Sequence, residues 1–196
     1  MKFLADSSLG RLSKWLRILG HDTIYWRGEA DRSFLRKAES EGRAVLTRRK
    51  DVLARQHPGF VLFVEQDRVE DQIIEVLEKL DLKHEPENVF TVCLRCNESL
   101  RKVTPEEVRP LVPDYVFRIQ SEFRVCTGCG GVFWPGTHRD RVAKTIARLL
   151  ARKPGDKPQA SRQIKEDREL FPPILFFFTD HWPLGTDHCF YVAQSL

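Results

Sequence analysis

Nothing in these 196 residues approaches the roughly 20 consecutive apolar side chains that span a bilayer, so no membrane-crossing helix is expected. The opening Met1-Lys2-Phe3-Leu4-Ala5-Asp6 meets a charge at its sixth position and lacks the apolar stretch of a secretory signal. Secretion is therefore not expected, and the chain reads as cytoplasmic. There is no internal repeat; Thr-Asp-His at 179–181 and again at 186–188 is too little to build an architecture. Charge of one sign is also scarce. Lys and Arg total 32 against 28 Asp and Glu, a net +4 that permits a nucleic-acid partner without arguing for one. Collagen, coiled coil and wholesale disorder are excluded by composition. What remains, 41% apolar and 31% charged, is an ordinary globular chain, long enough for a real core and for one domain or one domain with an appendage.

Cysteine is sparse, and its number, five, is odd, which fits a disulfide framework poorly. Four of the five form two pairs, Cys93-x-x-Cys96 and Cys126-x-x-Cys129, and Cys189 stands alone. In a chain with no export signal such pairs read as zinc knuckles before they read as disulfides, with a redox dithiol as the alternative. A C-x-x-C turn lets two thiolates reach one ion, and zinc favours four such ligands in a tetrahedron. In each pair the turn residue, Asn97 or Gly130, directly follows the second cysteine. The 29 residues between the pairs suffice for a three-stranded ribbon. With all four positions filled by cysteine, no place is left for a catalytic water, so the expected zinc is structural.

Residues 1–82 alternate short apolar runs with amphipathic stretches. Lys2–Ala5, Thr23–Trp26, Ala44–Thr47 and Phe60–Val64 read as strands. Between and after them come helices marked by Leu9, Leu12, Leu16 and Leu19, capped by Ser7 or Ser8; by Phe34, Leu35 and Ala38 between Asp31 and Glu41; by Leu53 and Ala54; and by Val69, Ile73, Val76, Leu77 and Leu80. Gly20 and Gly42 mark helix ends. Strand-helix alternation implies an α/β fold, a mainly parallel sheet with helices on its faces. Residues 83–88 read as a linker. Residues 89–152 form a small β-rich zinc ribbon, with Tyr115-Val116-Phe117 and Val132-Phe133-Trp134 as β-prone pieces and a basic helix from about His138 to Arg152. Residues 153–196 are a tail with no assigned fold, containing the apolar run Phe171–Phe178. From 139 to 168 ten basic residues face four acidic ones, a composition suited to sequence-independent contact with nucleic acid.

Open parallel sheets bind ligands outside the carboxyl ends of their strands. Asp6 follows the first strand there, Asp31 opens the second helix and Asp51 follows the third strand, so several carboxylates can converge on one edge. Mg²⁺ or Mn²⁺ would be held by such oxygens, and paired ions of this kind assist phosphodiester cleavage. Taken singly, an Asp at a helix start is more often a cap; Asp6, directly behind an apolar strand, is the strongest functional candidate. Arg11, Lys14 and Arg17 on the first helix, with Arg48 after the third strand, flank that edge as candidate phosphate contacts, against the alternative of a solvated helix face. Trp15 and Trp26 read first as packing residues and second as stacking platforms for bases.

Lys2-Phe-Leu-Ala-Asp6, Leu9-Gly-Arg-Leu-x-x-Trp-Leu-Arg-x-Leu-Gly20, Gly42-Arg-x-x-Leu-Thr-Arg48, the two cysteine pairs and Trp134-x-Gly-Thr-His138 occur in one order over residues 1–150. Together they resemble the Mut-seven C-terminal family of PIN-like RNase domains. The resemblance implies a PIN-like α/β domain followed by a zinc ribbon, and a divalent-metal-dependent ribonuclease acting on RNA. It matches Asp6 to the first-strand acid and Asp31 to the second-helix acid of that family. After Thr47-Arg48 the family often carries an acid or Asn; here Arg49 stands in that place and the nearest acid is Asp51. Two functions follow as expectations: RNA hydrolysis with Asp6, Asp31 and Asp51 holding Mg²⁺ or Mn²⁺, or an RNA-binding module without cleavage.

Overall fold

The computed structural model describes residues 1–151; the tail from Arg152, with Phe171–Phe178 and Cys189, lies outside the described residues. The chain forms two compact units, Met1–Leu100 and the residues from Arg101 on.

In the first unit four parallel strands, β1 (Lys2–Ala5), β2 (Asp22–Tyr25), β3 (Ala44–Thr47) and β4 (Val61–Phe63), lie in the order β2-β1-β3-β4. Ala5 is level with Tyr25 on one side and Leu46 on the other, so the carboxyl ends of three strands open onto one edge. Four helices connect and follow them: α1 (Gly10–Ile18), α2 (Arg32–Ser40), α3 (Lys50–Leu53) and α4 (Val69–Lys79). The α/β architecture expected from the alternation is the one observed.

Strands β1, β3 and β4 are mostly apolar because both faces of the sheet are covered. Leu4 and Val45 point to one face and pack with Ala30, Phe34, Leu35 and Ala38 around α2 and with Val52 of α3. Their neighbours Phe3, Ala5 and Leu46 point the other way and are equally buried, as are Leu12, Trp15 and Leu16 of α1 and Ile73 and Val76 of α4, two helices that touch. Trp15 is thus a core residue, and Trp26 is half-buried beside Phe34, ring centroids 6.0 Å apart.

Three helices end alike. Behind α1, α2 and α4 stand Gly20 (φ +90°), Gly42 (φ +60°) and Asp81 (φ +47°), and the next N–H reaches back five residues, His21 to Leu16, Arg43 to Ala38 and Leu82 to Leu77, at 2.8 to 2.9 Å. The start of α1 differs from expectation. A short 3-10 turn, Ser7–Leu9, precedes it, and the capping acceptor is the Asp6 carboxylate instead of Ser7 or Ser8. The aspartate reaches the Ser8 N–H because it sits one residue outside the turn.

The second unit is built on a three-stranded sheet, β5 (Leu100–Val103), β6 (Phe123–Cys126) and β7 (Val132–Phe133). Tyr115-Val116-Phe117, expected to be β-prone, lies instead inside α6 (Asp114–Ile119). The helix starts behind Pro113 and buries Val116 in a cluster with Val108, Val112 and Phe123, with Trp134 at the Phe123 edge. The short α5 (Pro105–Val108) carries a capping box between Thr104 and Glu107, and α7 (Thr137–Leu150) is the expected basic helix.

Gly20 and Gly42 share a left-handed backbone but not their surroundings. A Cβ on Gly20 would lie 2.3 Å from the Asn88 carbonyl oxygen, while one on Gly42 would meet nothing within 4 Å. Gly42→Ala should therefore lose only about 1–2 kcal/mol for the left-handed residue, and Gly20→Ala clearly more, because backbone must move. Urea unfolding of the two variants checks the order; equal losses would show that the contact to Asn88 yields freely.

Candidate functional site

Two places in the chain gather chemistry-bearing side chains. The first is the carboxyl edge of the parallel sheet. Asp6 leaves β1 there, fully buried at 0% exposure, and its carboxylate takes four hydrogen bonds. Oδ1 accepts from the Ser8 N–H at 2.8 Å and the Ser8 hydroxyl at 2.5 Å. Oδ2 accepts from the Thr47 hydroxyl at 2.5 Å and the Arg48 N–H at 3.1 Å. One side chain thus ties the end of β1 to the start of α1 and to the end of β3. An ionised carboxylate has about four lone-pair positions, so all of them are engaged.

Asp31 opens α2 as its N-cap, accepting from the Ser33 N–H at 2.8 Å, the Ser33 hydroxyl at 2.6 Å and the Phe34 N–H at 3.2 Å. The Ser33 hydroxyl first, and the Phe34 N–H after it, hold this exposed carboxyl below its usual range. Asp51, on α3 and 47% exposed, is gripped by two guanidinium groups. Arg49 donates to both its oxygens at 3.0 and 3.1 Å, and Arg55 adds a third bond at 2.9 Å. The Arg49 bond is the main reason the Asp51 carboxyl is held low. Arg55 also donates to the Ala30 carbonyl at 2.8 Å, which links α3 to the loop in front of Asp31. Arg49 is held above its ordinary pKa by Asp51 first, and the charges of Glu29 and Asp6 act on it as well.

All three acids therefore stand at the same sheet edge, but each is already satisfied by the protein. Among the described residues the four cysteines are the one set of three or more His, Cys, Asp or Glu side chains close enough to share an ion; Asp6, Asp31 and Asp51 do not form another. Glu29 and Arg55, which the sequence pattern did not single out, belong to this edge. Glu29 follows Gly28 in a loop whose Glu29 carbonyl accepts from the Trp26 indole at 2.8 Å, a placement with no periodic signature.

The basic candidates separate. Arg11 and Lys14 are exposed on α1. Arg48 is partly exposed and pairs with Asp67. Arg17 is 7% exposed, and its donors reach main-chain carbonyls: Nε to Thr23 at 2.7 Å, Nη1 to Leu94 at 2.9 Å and Arg95 at 3.4 Å. It lies on the apolar face of α1, between Leu16 and Ile18, where a guanidinium can stay only if its donors are used.

The second place is the four-cysteine set. The sulfur atoms of Cys93, Cys96, Cys126 and Cys129 all lie within 4.8 Å of one another, and none of the four is in a disulfide. Zn–S bonds of about 2.3 Å give a tetrahedral edge of about 3.8 Å, so a small contraction brings all four sulfurs onto one ion. The two turns match bond for bond. The N–H of the first cysteine bonds to the carbonyl five residues on, Cys93 to Glu98 at 2.7 Å and Cys126 to Gly131 at 3.0 Å. The residue after the second cysteine returns an N–H to the first, Asn97 to Cys93 at 3.0 Å and Gly130 to Cys126 at 3.1 Å. Both of those residues are left-handed, φ +69° and +67°. The Cys129 N–H points at the Cys126 sulfur, 3.4 Å away. This is a closed, all-sulfur donor set that could hold a zinc ion.

A family model described as the Mut7-C RNAse domain matches residues 1–146, while no curated protein and no solved structure matches the chain.

Because Asp6 accepts four bonds, Asp6→Asn exchanges one acceptor oxygen for an NH₂ that faces donors. The variant should be less stable by about 1–3 kcal/mol before any chemistry is considered. Chemical denaturation at neutral pH measures this; an unchanged midpoint and slope would show that the network reorganises without cost.

Proposed function

This chain belongs to the Mut7-C RNAse domain family, and from that premise we propose that it hydrolyses RNA phosphodiester bonds at the carboxyl edge of its parallel sheet. Asp6, Asp31 and Asp51 are the proposed acids of a Mg²⁺ or Mn²⁺ site, and the four cysteines the proposed holders of a structural zinc ion. The observation that carries the reading is that Asp6, Asp31 and the Arg49–Asp51–Arg55 group all follow strands at the carboxyl edge of one sheet, without the three acids lying close enough to share one ion as they stand. The hard oxygen donors suit Mg²⁺ or Mn²⁺, and one or two carboxylates suffice for such an ion. Asp31 and Asp51 are exposed and can offer oxygens directly; Asp6 would do so when the Ser8 and Thr47 hydroxyls rotate away. Such an ion, once bound, supplies an activated water and shields the charge growing on phosphate. Arg11, Lys14 and Arg48 are the proposed contacts to the RNA backbone, with Arg48 released from Asp67. Arg17, expected as a fourth, is held by carbonyls and is left out of this role.

A second reading has its own observation. Arg49 supplies positive charge among Asp51, Glu29 and Asp6, and Arg55 adds a second cation on Asp51, so part of the acidic charge at this edge is balanced by the protein itself. On that reading the chain binds RNA and does not cut it.

Incubating the full chain with mixed RNA and Mn²⁺, or with EDTA, separates the two. Cleavage is expected with Mn²⁺ and none with EDTA. Asp31→Asn keeps a good N-cap, and Asp51→Asn changes an exposed side chain, so either should lower the rate about a hundredfold or more with the fold intact. Cleavage that survives both substitutions removes these acids from the site; salt-dependent RNA binding without any cleavage selects the second reading. Arg49→Asn should raise Mn²⁺ affinity roughly fivefold by removing a like charge, measured by calorimetry.

Metal analysis of the purified chain under reducing conditions should find about one zinc per molecule, and none after Cys126→Ser. A metal-free parent protein would count against the zinc assignment.

A further inference from the structure

We propose that Arg17 and Asn97 are positioning residues for the first cysteine turn, and that through them a metal held by the four thiols orders the amino-terminal end of strand β2. The proposal rests on the zinc reading of the cysteine set and is independent of the nuclease reading.

Within the first unit the turn Cys93–Asn97 is fastened to α1 and to β2. Arg17 reaches from α1, with Nη1 on the carbonyls of Leu94 and Arg95, the two residues between the cysteines. Asn97 reaches from the turn, its Oδ1 accepting the Thr23 N–H at 2.7 Å and its Nδ2 donating to Asp22. The Arg17 Nε closes the loop on the Thr23 carbonyl. Thr23 lies on β2, an edge strand, and an edge strand needs partners for the main-chain groups it turns away from the sheet. Here Asn97 of the cysteine turn takes the Thr23 N–H, and Arg17 of α1 serves the Thr23 carbonyl.

Charge is consistent with the same arrangement: four thiolates around one divalent ion leave two negative charges, and the Arg17 guanidinium, bonded to the main chain between two of the ligands, is placed to oppose them. Groups that orient metal ligands from the second layer commonly change metal affinity ten- to a hundredfold when removed.

Asn97 offers a clean substitution. Its φ of +69° suits glycine, so Asn97→Gly keeps the backbone turn and deletes only the amide that reaches Asp22 and Thr23. The experiment uses the full chain loaded with Zn²⁺ and challenged with a chromophoric chelator, while amide hydrogen exchange is followed at Thr23. Arg17→Gln is expected to release zinc about ten- to a hundredfold more readily, with Arg17→Lys in between, since it keeps the charge and loses the fork. In the parent, stripping zinc should speed exchange at Thr23; in Asn97→Gly exchange should be fast whether zinc is present or not. If Arg17→Gln does not fold, the Asn97→Gly comparison decides alone. Zinc release unchanged in the folded variants, or Thr23 exchange in the parent that ignores zinc, overturns the proposal and leaves the zinc assignment standing. A parent that takes up no Zn²⁺ at all overturns both.

Discussion

The carboxylate of Asp6 is the point on which the first unit turns. A charge with no exposure is tolerable only if its lone pairs are used, and here all are, by Ser8, Thr47 and the Arg48 main chain. The same four bonds set where α1 begins and where the loop after β3 departs. That loop carries Arg49 and Asp51, so the geometry of the whole candidate edge follows from how one buried acid is satisfied. Its structural duty and its proposed chemical duty draw on the same oxygens, which is why neutral variants of Asp31 and Asp51 are the better probes of chemistry.

The parallel sheet has two working edges. At the carboxyl edge lie the acids and their arginine partners. At the amino edge Arg43, 8% exposed, binds Asp22 at 2.6 Å and Glu41 at 2.6 Å, and Asp22 in turn receives Asn97 from the cysteine turn. Burial alone would lower the Arg43 pKa, yet the bonds to Asp22 and Glu41 carry it above the ordinary value. Polar groups at this edge form one connected network that ends in the first cysteine turn, and at the other edge Thr47, Arg49 and Arg55 tie the acids together through hydrogen bonds to Asp6, Asp51 and the Ala30 carbonyl. Strand β2 runs from one edge to the other, from Thr23 at the cysteine turn to Tyr25, whose hydroxyl donates to Ser7 at 3.1 Å beside Asp6.

Legibility in the sequence followed the range of the interactions. The four parallel strands and their helices were readable because apolar periodicity and helix-end glycines are local. The cysteine set was readable because two turns of fixed spacing have one economical use. Tyr115-Val116-Phe117 misled because its β-prone composition is local, while the burial of Val116 against Val108, Val112 and Phe123 is not. Arg17 misled in the same way. A helix surface rich in Arg and Lys looks like a phosphate-binding face, and only the fold shows that this one arginine is on the buried side, 77 positions from its acceptor at Leu94.

The sequence by itself determined the α/β alternation, the two cysteine turns and the family, and it singled out Asp6, Asp31 and Asp51 as candidates, since each is a matter of residue type and spacing along the chain. Tertiary structure decided what those residues are bonded to. Asp6 became a four-bond anchor, Asp51 a partner of Arg49 and Arg55, and Arg17 a clamp on the first cysteine turn, because hydrogen bonds form between groups that are near in space, and packing of the sheet and its helices is what brings residues 6, 47 and 48, or 17 and 94, together.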